Sequence, residues 1–435
     1  MKILIALHSC MDLGGIINHT EQLIGGLKDL GHTVHLKQLV WAIRANGQNR
    51  EGDFTLGPSG IPHHQGKGWN FPIQHRIPYR GAASLNSAKQ ILSQYDLIIW
   101  TVPVPPKNKD NEGNSDWPEL YDLPSSVRQV AFVHDGNAKN GAPHMMMIQD
   151  KLAGIAAVHA CALNGSDFLT VPRALVLNPQ QMPIRGVAAW TERAPGFVNM
   201  QTFKAWKHAH ELIQAIAYMP KKDEGEYREV AGKGIEYQYM TSEDKCKPEY
   251  FHGDDHSHED PWFGGMKFWD AALENGMVHH DYWNTDEVEQ WLQTARVLVD
   301  PSWSKKYAAV GGHWNRVVVD AMIHGAVPVA TRMGMGSELF KAGENYVPIP
   351  EGGNDPQLYA DIVLETGNMN ETSARRYREA NLELLPFFDR RNVAQKLLNL
   401  AFGALDGTEI KVGKTDLEIK KKFEDLMFNH YGVLV

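Results

Sequence analysis

Two polar residues, His134 and Asp135, directly follow the apolar segment 129–133, whose composition is typical of a buried strand. Open parallel sheets bind their ligands at the carboxyl ends of the strands, so this pair stands where chemistry is expected. A histidine there can hydrogen-bond a hydroxyl group of a ligand, and an aspartate can orient such a hydroxyl or accept its proton. The alternative is a polar pair that only terminates a strand.

A glycine pair, Gly14 and Gly15, lies between the apolar segment 2–7 and a helical pattern. The free N–H groups of a helix start can receive a phosphate, and glycine lets a ligand approach the backbone closely. Steric relief at the turn is an equally good explanation. Because Ile16 and Ile17 follow, the loop lacks the G-x-G-x-x-G spacing, which disfavours a dinucleotide-dependent oxidoreductase.

A specific order of motifs occupies the second half of the chain. The apolar segment 297–299 is followed by Pro301-Ser302, a glycine-rich loop, a helical pattern and the short strand pattern 327–330. Loop N–H groups can cradle a diphosphate, and a helix carboxylate can accept both hydroxyls of a ribose. The candidate donor-binding residues of this region are Gly311, Gly312, His313, Asn315 and Asp320. For Asp320, the alternative is a solvated helix carboxylate.

Two cations near the start of the second half are candidates for binding a diphosphate. Where no metal ion is bound, arginine, lysine and helix N-termini are the groups that can neutralise such a charge. Lys207 precedes the apolar pair Leu212-Ile213 at a predicted helix start, and Arg193 lies further upstream. The alternative for Lys207 is a surface lysine, although a cation at a helix start is unfavourable without an anion.

The segment 41–80 interleaves cations with aromatic side chains. Its cations include Arg44, Arg50, Lys67, Arg76 and Arg80. Cations that follow phosphates and rings that stack on extruded bases predict a DNA-binding surface. The alternative is an ordinary insertion anchored by a few aromatic residues.

A second unusual segment, 252–260, is rich in histidine and acidic residues. These side chains can bind metals, but their spacing fits no metal site that we can recognise from sequence. We interpret the segment as a solvated acidic loop, and we expect no essential metal.

The hydrophobic periodicity predicts the elements that must position these residues. Strands are predicted at 2–7, 33–36, 97–100, 129–133, 155–158 and 174–177, with a helix over 16–30 that Gly31 ends. After a break at 178–183, strands are predicted at 186–190, 235–239, 297–299 and 327–330, and helices at 203–219, 286–295 and 317–324. This alternation predicts an α/β fold with two Rossmann-like domains facing a central cleft. We place them at 1–182 and 183–400, followed by a helical extension over 401–435 that could return to the first domain.

Composition agrees with this organisation. The 435 residues are 43% hydrophobic and 22% charged, which suits two or three globular domains and excludes collagen-like, coiled-coil and disordered chains. A net charge of −9 argues against a generally basic nucleic-acid coat protein but allows a local basic groove. The 3 cysteines lack C-x-x-C spacing, and no apolar run is long enough for a membrane span. We therefore expect a soluble protein of the cytoplasm.

The motif order of the second half resembles the donor-binding half of retaining nucleotide-sugar glycosyltransferases with two Rossmann domains, the GT-B type. The resemblance continues through 334–339 and 343–347. The family usually has two glutamates in this region. Here Asp320 stands at the second position, and Gly312 occupies the usual place of the first.

A narrower group within this family resembles the chain more closely at the position of the first acid. Phage DNA α-glucosyltransferases that modify 5-hydroxymethylcytosine have their two acids five residues apart, which corresponds to Asn315 and Asp320. The pair His134-Asp135 and the segments 95–103 and 232–239 are also similar to that group, in which the His-Asp pair lies at the active site. If the phage resemblance holds, the compartment is the host cytoplasm.

The resemblance implies a retaining transfer from a nucleotide diphosphate sugar, with a UDP-sugar as donor substrate and no tightly bound cofactor. The implied acceptor is a hydroxymethylated pyrimidine in duplex DNA, flipped out of the helix. Neither a membrane nor a protein partner is indicated. Two alternatives stay open: the same chemistry on a glycan or lipid, and a non-catalytic module that binds a nucleotide sugar or DNA.

Overall fold

A computed structural model describes residues 1–7, 15–40, 54–56, 62–64, 73–79, 81–101, 118–134, 148–159, 162–163, 166, 169–182, 187–200, 208–231, 266–280, 285–302, 316–331, 339–350 and 355–405. The chain forms two compact units. The first consists of Met1–Gln181 and Phe387–Lys411, and the second of Met182–Pro386 and Val412–Val435.

The first unit is built on a parallel sheet of seven strands. Its strands are β1 (Lys2–Leu7), β2 (Thr33–Val40), β5 (Arg76–Pro78), β6 (Leu97–Trp100), β7 (Arg128–Val133), β8 (Gly154–Ala157) and β9 (Arg173–Leu175). A separate antiparallel pair joins β3 (Phe54–Leu56) to β4 (Pro62–His64). The helices α1 (Gly15–Asp29) and α2 (Ala82–Leu92) follow β1 and β5. The predicted strands at 2–7, 97–100, 129–133 and 155–158 are confirmed.

The order of this sheet is β5-β2-β1-β6-β7-β8-β9, and every pairing is parallel. The chain moves outward from β1 through β2 and then returns to β6 on the other side. This reversal makes the carboxyl ends of β1 and β6 a topological switch point, where such sheets bind ligands.

Both faces of the first sheet are covered, which explains why its strands are continuously apolar. One face packs Ile98 and Ala131 against Leu85 and Leu92 of α2. The other face packs on α1 and on a helix near the end of the chain.

That helix is α9 (Arg390–Phe402), which brings the end of the described chain back to the first unit. Asp389 caps its start by accepting hydrogen bonds from the N–H groups of Arg391 and Asn392. Arg390 Nε lies 2.7 Å from Asp29 at the end of α1. The helix therefore includes the start of the predicted extension 401–435, while 406–435 lie outside the described residues.

The packing of α9 on α1 depends on the absence of a side chain at Gly26. A Cβ atom on Gly26 would lie 2.1 Å from the backbone oxygen of Arg390, whereas one on Gly25 would lie 2.9 Å from the flexible Nη1 of the same residue.

We expect Gly26→Ala to lower the free energy of unfolding by about 1–3 kcal/mol, because the backbone at Arg390 must move to make room for the new methyl group. Gly25→Ala is the control, since an arginine side chain can move aside and alanine favours a helix. Urea unfolding of both variants checks this, and equal effects would contradict it.

The second unit contains a parallel sheet of six strands. They are β10 (Ala194–Met200), β11 (Tyr227–Ala231), β12 (Val278–His280), β13 (Ala295–Asp300), β14 (Val327–Ala330) and β15 (Val347–Pro348), in the order β12-β11-β10-β13-β14-β15. Every pairing is parallel. The strand order reverses between β10 and β13, so their carboxyl ends form the switch point of this sheet.

Six helices surround this sheet or follow it in the chain. They are α3 (Ala209–Tyr218), α4 (Met266–Glu274), α5 (Thr285–Thr294), α6 (Arg316–His324), α7 (Pro356–Gly367) and α8 (Glu371–Phe388), which runs on into the first unit. Gly325 ends α6 with a φ of 77°. None of the helices in the described ranges combines the length and the apolar composition needed to cross a bilayer.

The predicted strand at 186–190 is wrong. Residues 187–189 are irregular, and a single 3-10 turn follows at Trp190–Glu192. The apolar run is explained by Trp190, which is buried and donates its indole N–H to Met369 O at 2.9 Å. The true strand, β10, is hidden in the sequence by Pro195 and Gly196. The predicted strand at 235–239 lies outside the described residues.

Candidate functional site

The carboxyl edge of the first sheet carries His134, the first residue after β7. Three side chains, two of them from other elements, define its surroundings. The ring of His19 on α1 packs edge-on at 4.8 Å between centroids, and Phe132 stacks at 5.7 Å. His159, two residues after β8, contacts the His134 backbone with its Nε2 at 2.7 Å from the carbonyl oxygen.

The protonation state of His134 follows from this environment. Burial, followed by the proximity of His19 and His159, lowers its pKa well below the usual value, and a hydrogen bond to the Thr101 backbone acts in the opposite direction. A backbone bond that raises a histidine pKa is one in which the ring donates to a carbonyl. The ring is therefore neutral at pH 7.

The free nitrogen of this ring is an acceptor. Within the described part of the chain, the buried Nε2 of His134 has no hydrogen-bond partner. With its proton on Nδ1, the neutral ring carries a lone pair on this Nε2. Such an atom can accept a hydrogen bond from a hydroxyl group of a ligand.

The depressed pKa has a consequence for stability. In the unfolded chain the ring binds a proton near pH 6.5, while in the folded protein it stays neutral to a lower pH, so the unfolded state binds more protons. We expect the free energy of unfolding to fall as pH drops below about 6.5, by up to about 1.4 kcal/mol per pH unit from this group. His134→Asn should reduce that slope in urea unfolding between pH 7.5 and 5.5. An unchanged slope would contradict a neutral buried ring.

The carboxyl edge of the second sheet is lined by polar side chains at its switch point. Asp300, the last residue of β13, accepts hydrogen bonds from Ser302 N at 3.1 Å and from Ser302 Oγ at 2.6 Å. The Thr331 hydroxyl donates to the carbonyl of Ser302. On β10, Asn199 Nδ2 donates to Val299 O at 2.9 Å. The Pro-Ser turn is thus held by its own hydrogen bonds, two of which end on Asp300 Oδ1.

A buried hydrogen-bonded pair lies at the start of α3, next in sequence to the predicted lysine. His208 has a left-handed backbone with φ 52° and ψ 26°, and its Nδ1 lies 2.7 Å from Glu211 Oε1. A left-handed backbone is costly for residues other than glycine. Here the bond between His208 and Glu211 accompanies this conformation. Lys207 itself lies outside the described residues.

Tyr359 adds a further polar atom to this unit. It stands in the first turn of α7, and its pKa is raised well above the ordinary value by burial, with Glu211 and Asp300 contributing. No hydrogen-bond partner for its hydroxyl occurs among the described residues. A buried phenol beside carboxylates stays protonated and can donate.

Arg193 is not placed to bind a donor, which corrects the prediction. It precedes β10 and therefore lies at the amino end of the sheet, opposite the ligand-binding edge. Its Nη1 donates to Leu292 O and Ala295 O, each at 2.8 Å, and its Nη2 donates to His324 O. These carbonyls stand at the ends of α5 and α6, where a cation is favoured. Burial and the charge of Arg378 lower its pKa to about 10, so it remains charged at pH 7.

Asp320 lies in the second turn of α6 with its side chain 23% exposed. Arg316, one turn earlier, has its Nε 3.7 Å from Asp320 Oδ2. A partly exposed carboxylate of this kind can accept hydrogen bonds from a ligand. Asp320 therefore stays a candidate for the donor site.

Arg76 also requires a correction. It is the first residue of β5, and it is 8% exposed. A guanidinium buried in the edge strand of the sheet is not part of an exposed surface that follows DNA phosphates, so Arg76 is removed from that set.

The remaining predicted residues have little or no structural description. Gly15 is the first residue of α1. The others lie outside the described residues: Gly14, Arg44, Arg50, Lys67, Arg80, Asp135, Lys207, Gly311, Gly312, His313 and Asn315. The His- and Asp-rich segment 252–260 does so as well. In the part that is described, no three His, Cys, Asp or Glu side chains form a group that could hold a metal ion.

Sequence analysis missed the residues that surround His134. His159 could have been found, because it follows the apolar segment 155–158 just as His134 follows 129–133. His19 lies inside a helical pattern, and its hydrogen bond to Asn178, at 2.9 Å, spans 159 residues. Only the folded chain shows that contact.

Solved structures resemble this chain over most of its length. The Anabaena protein Alr3699/HepE in complex with UDP and glucose matches with a TM-score of 0.61 and 14% identity, covering 93% of this chain and 100% of that chain. An alpha-glucosyltransferase in complex with UDP-glucose and DNA containing an abasic site matches with a TM-score of 0.62 and 13% identity, covering 92% and 99%. This chain has the GT-B fold. No family model and no curated protein matches the sequence.

The GT-B fold consists of two α/β units, each built on a parallel sheet. Each unit of this chain has its own switch point. His134 directly follows β7, the strand next to the switch point of the first unit, and Asn199 and Asp300 flank the switch point of the second. The same alpha-glucosyltransferase is also found in complex with UDP and a 13-mer DNA containing a HMU base, at 12% identity and a TM-score of 0.57, covering 92% of this chain and 99% of that chain.

Proposed function

We propose that this protein is a retaining glycosyltransferase that moves a sugar from a UDP-sugar to the hydroxymethyl group of a modified pyrimidine in DNA. The observation that carries the proposal is His134, a neutral imidazole with a free acceptor nitrogen at the ligand-binding edge of a GT-B fold. Structures with this fold are known with UDP-glucose and with DNA bound.

In this proposal the second unit binds the donor. Asp320 accepts hydrogen bonds from the ribose hydroxyls, and Lys207 and the start of α3 neutralise the diphosphate. The loop with Gly311, Gly312, His313 and Asn315 contributes N–H groups. Arg193 is left out, because its guanidinium is already bound to backbone carbonyls.

The first unit handles the sugar and the acceptor. His134 Nε2 accepts a hydrogen bond from a sugar hydroxyl, and Asp135 orients the acceptor hydroxyl. Gly14 and Gly15 permit close approach of the ligand to the backbone. The hydroxyl attacks on the face of the leaving group, and a diphosphate oxygen accepts its proton, so the product keeps the anomeric configuration of the donor.

A second candidate acceptor is a hydroxyl group of a glycan or lipid. It gains weight from Arg76, whose burial removes one cation from the predicted DNA-binding segment. The two acceptors differ in salt dependence: binding to DNA weakens steeply with salt, whereas binding to a neutral glycan does not.

The proposal is tested by incubating the protein with a labelled UDP-sugar and separate acceptors: hydroxymethylated DNA, unmodified DNA, and glycans. Label on hydroxymethylated DNA alone supports the proposal, and NMR of the product should show the α-anomer from an α-linked donor. Label on glycans alone favours the second candidate. No label on any acceptor and no release of UDP would favour a non-catalytic binding module.

Asp320 offers a test of the donor site alone. We expect Asp320→Asn to weaken UDP binding about 10-fold, because hydrogen bonds to a charged group contribute about 1.5–3 kcal/mol. Asp320→Glu should retain most of the affinity. Asp361→Asn on α7 is the control, since this carboxylate is exposed on a helix surface. Calorimetry with UDP measures the three affinities, and unchanged binding by Asp320→Asn would remove this residue from the site.

A further inference from the structure

Three histidines from separate parts of the chain meet at the carboxyl edge of the first sheet. His19 comes from α1, His134 follows β7, and His159 follows β8. The rings of His19 and His134 are 4.8 Å apart between centroids, and His159 Nε2 lies 2.7 Å from the His134 carbonyl oxygen. The sequence separations of these contacts, 115 and 25 residues, show that the fold assembles the group.

Each of the two neighbours has a defined donor nitrogen. A carbonyl oxygen only accepts, so His159 must donate from Nε2 to the His134 carbonyl. The oxygen of the Asn178 amide also only accepts, so His19 must donate from Nδ1, at a distance of 2.9 Å. Each of the two bonds fixes the orientation of the ring that donates it.

The hydrogen bond from His159 ends on the backbone directly beside the candidate site. The carbonyl that it binds belongs to the peptide group that links His134 to Asp135. Because a peptide group is planar, fixing its carbonyl fixes the plane in which the backbone continues from one residue to the next. The last backbone hydrogen bond between β7 and the chain after β8 joins Val158 N to Val133 O at 3.2 Å. One residue further along, the side chain of His159 holds the next carbonyl of the same chain.

His19 acts on the ring rather than on the backbone. Its edge-on contact with His134 and with Phe132, at 4.6 Å, limits the rotation of the His134 ring. The nitrogen that can meet a ligand is Nε2, which has no hydrogen-bond partner among the described residues.

We propose that His159 is a positioning residue, which holds the His134–Asp135 peptide, and with His19 the His134 ring, in the arrangement that receives a substrate hydroxyl. This inference rests on the proposed function for the identity of the hydroxyl as that of a sugar. A merely structural hydrogen bond would contribute to stability and leave turnover unchanged.

The first test compares two substitutions in the full-length protein. His159→Leu removes the donor, whereas His159→Gln keeps an N–H group at a similar reach. We expect His159→Leu to lower kcat about 10-fold or more, because small displacements of positioned groups cost large factors in rate. The Kd for UDP should change less than about 2-fold, because UDP is bound by the other unit, and His159→Gln should retain most of kcat.

A matched control removes an ordinary histidine hydrogen bond in the same unit. His35 on β2 has its Nδ1 3.0 Å from the Tyr95 hydroxyl, and His35→Leu should change stability without lowering kcat. The inference is overturned if His159→Leu keeps full kcat, if His159→Gln loses as much as His159→Leu, or if His35→Leu lowers kcat equally.

A second measurement does not depend on activity. Nitrogen-15 NMR of histidine side chains should show His134 in the free wild-type protein as the Nδ1–H tautomer over pH 6–8, and His159→Leu should broaden or shift that signal. The inference is overturned if His134 is the Nε2–H tautomer, or if its signal is the same in the wild type and in His159→Leu. If the signal responds as expected but no sugar is transferred to any acceptor, the proposed function fails while the coupling between His159 and His134 stands.

Discussion

Replacing His134 with alanine is expected to lower kcat for sugar transfer about 10- to 100-fold. The substitution removes the acceptor nitrogen for a sugar hydroxyl and leaves that hydroxyl unpaired in a buried site, which costs about 1.5–3 kcal/mol. The Kd for UDP alone should stay near the wild-type value, because the second unit binds the nucleotide in our proposal. Steady-state rates with a UDP-sugar, together with calorimetry for UDP, separate the two effects.

The control for this experiment is His32→Ala. His32 precedes β2 and so lies at the amino end of the same sheet, opposite the candidate site. We expect it to keep its turnover. If His134→Ala and His32→Ala have the same kcat as the wild type, His134 is not part of the site and the proposed function loses its main support.

The second large effect concerns stability. We expect Arg193→Met to lower the free energy of unfolding by about 3 kcal/mol or more, because backbone carbonyls at the ends of α5 and α6 lose a charged donor and stay buried. For a unit of this size, that loss corresponds to a fall in Tm of about 6–12 °C. Differential scanning calorimetry measures this shift.

Arg378→Met is the matched control for Arg193. Arg378 Nη2 donates to a single carbonyl, that of Ala188 at 3.0 Å, and the residue is only half-buried. We expect a much smaller change in Tm. The correction to Arg193 also predicts that a folded Arg193 variant binds UDP as the wild type does. A loss of UDP affinity without a loss of stability would return Arg193 to the donor site.

The sheets of this protein could be predicted because their strands are buried on both faces. Segments such as 97–100 and 129–133 are continuously apolar, and the helices between them leave few other folds. The position of His134 could be predicted for the same reason, since a residue directly after such a strand lies at the carboxyl edge of the sheet. The donor-binding role of Asp320, which the order of motifs around it predicts, stays a prediction.

Other features depend on contacts between distant parts of the chain. Arg193 looks like a phosphate ligand in the sequence, because nothing local shows that the ends of α5 and α6 converge on it. β11 was missed because Arg228 and Glu229 interrupt its apolar pattern, although Arg228 is 1% exposed and bonded to Glu226 and to backbone carbonyls. The left-handed backbone of His208 could not be predicted from the sequence either, because this conformation is usual for glycine and not for histidine.

The histidine group shows the same limit at the candidate site. The sequence marks His134 through its position after a strand, but its neutral state results from burial and from His19 and His159. These two residues are brought to His134 by α1 and β8. The position of His134 at the sheet edge can thus be predicted from a local pattern, whereas the groups that set its protonation state require the fold.

The most direct test of the account is mass spectrometry of the nucleosides of hydroxymethyl-pyrimidine DNA after incubation with the protein and a panel of UDP-sugars. The account predicts that the hydroxymethylated nucleoside gains the mass of one sugar with at least one donor, and that His134→Ala greatly reduces this product. Full conversion of the UDP-sugar to another acceptor, with every nucleoside unchanged, would contradict it.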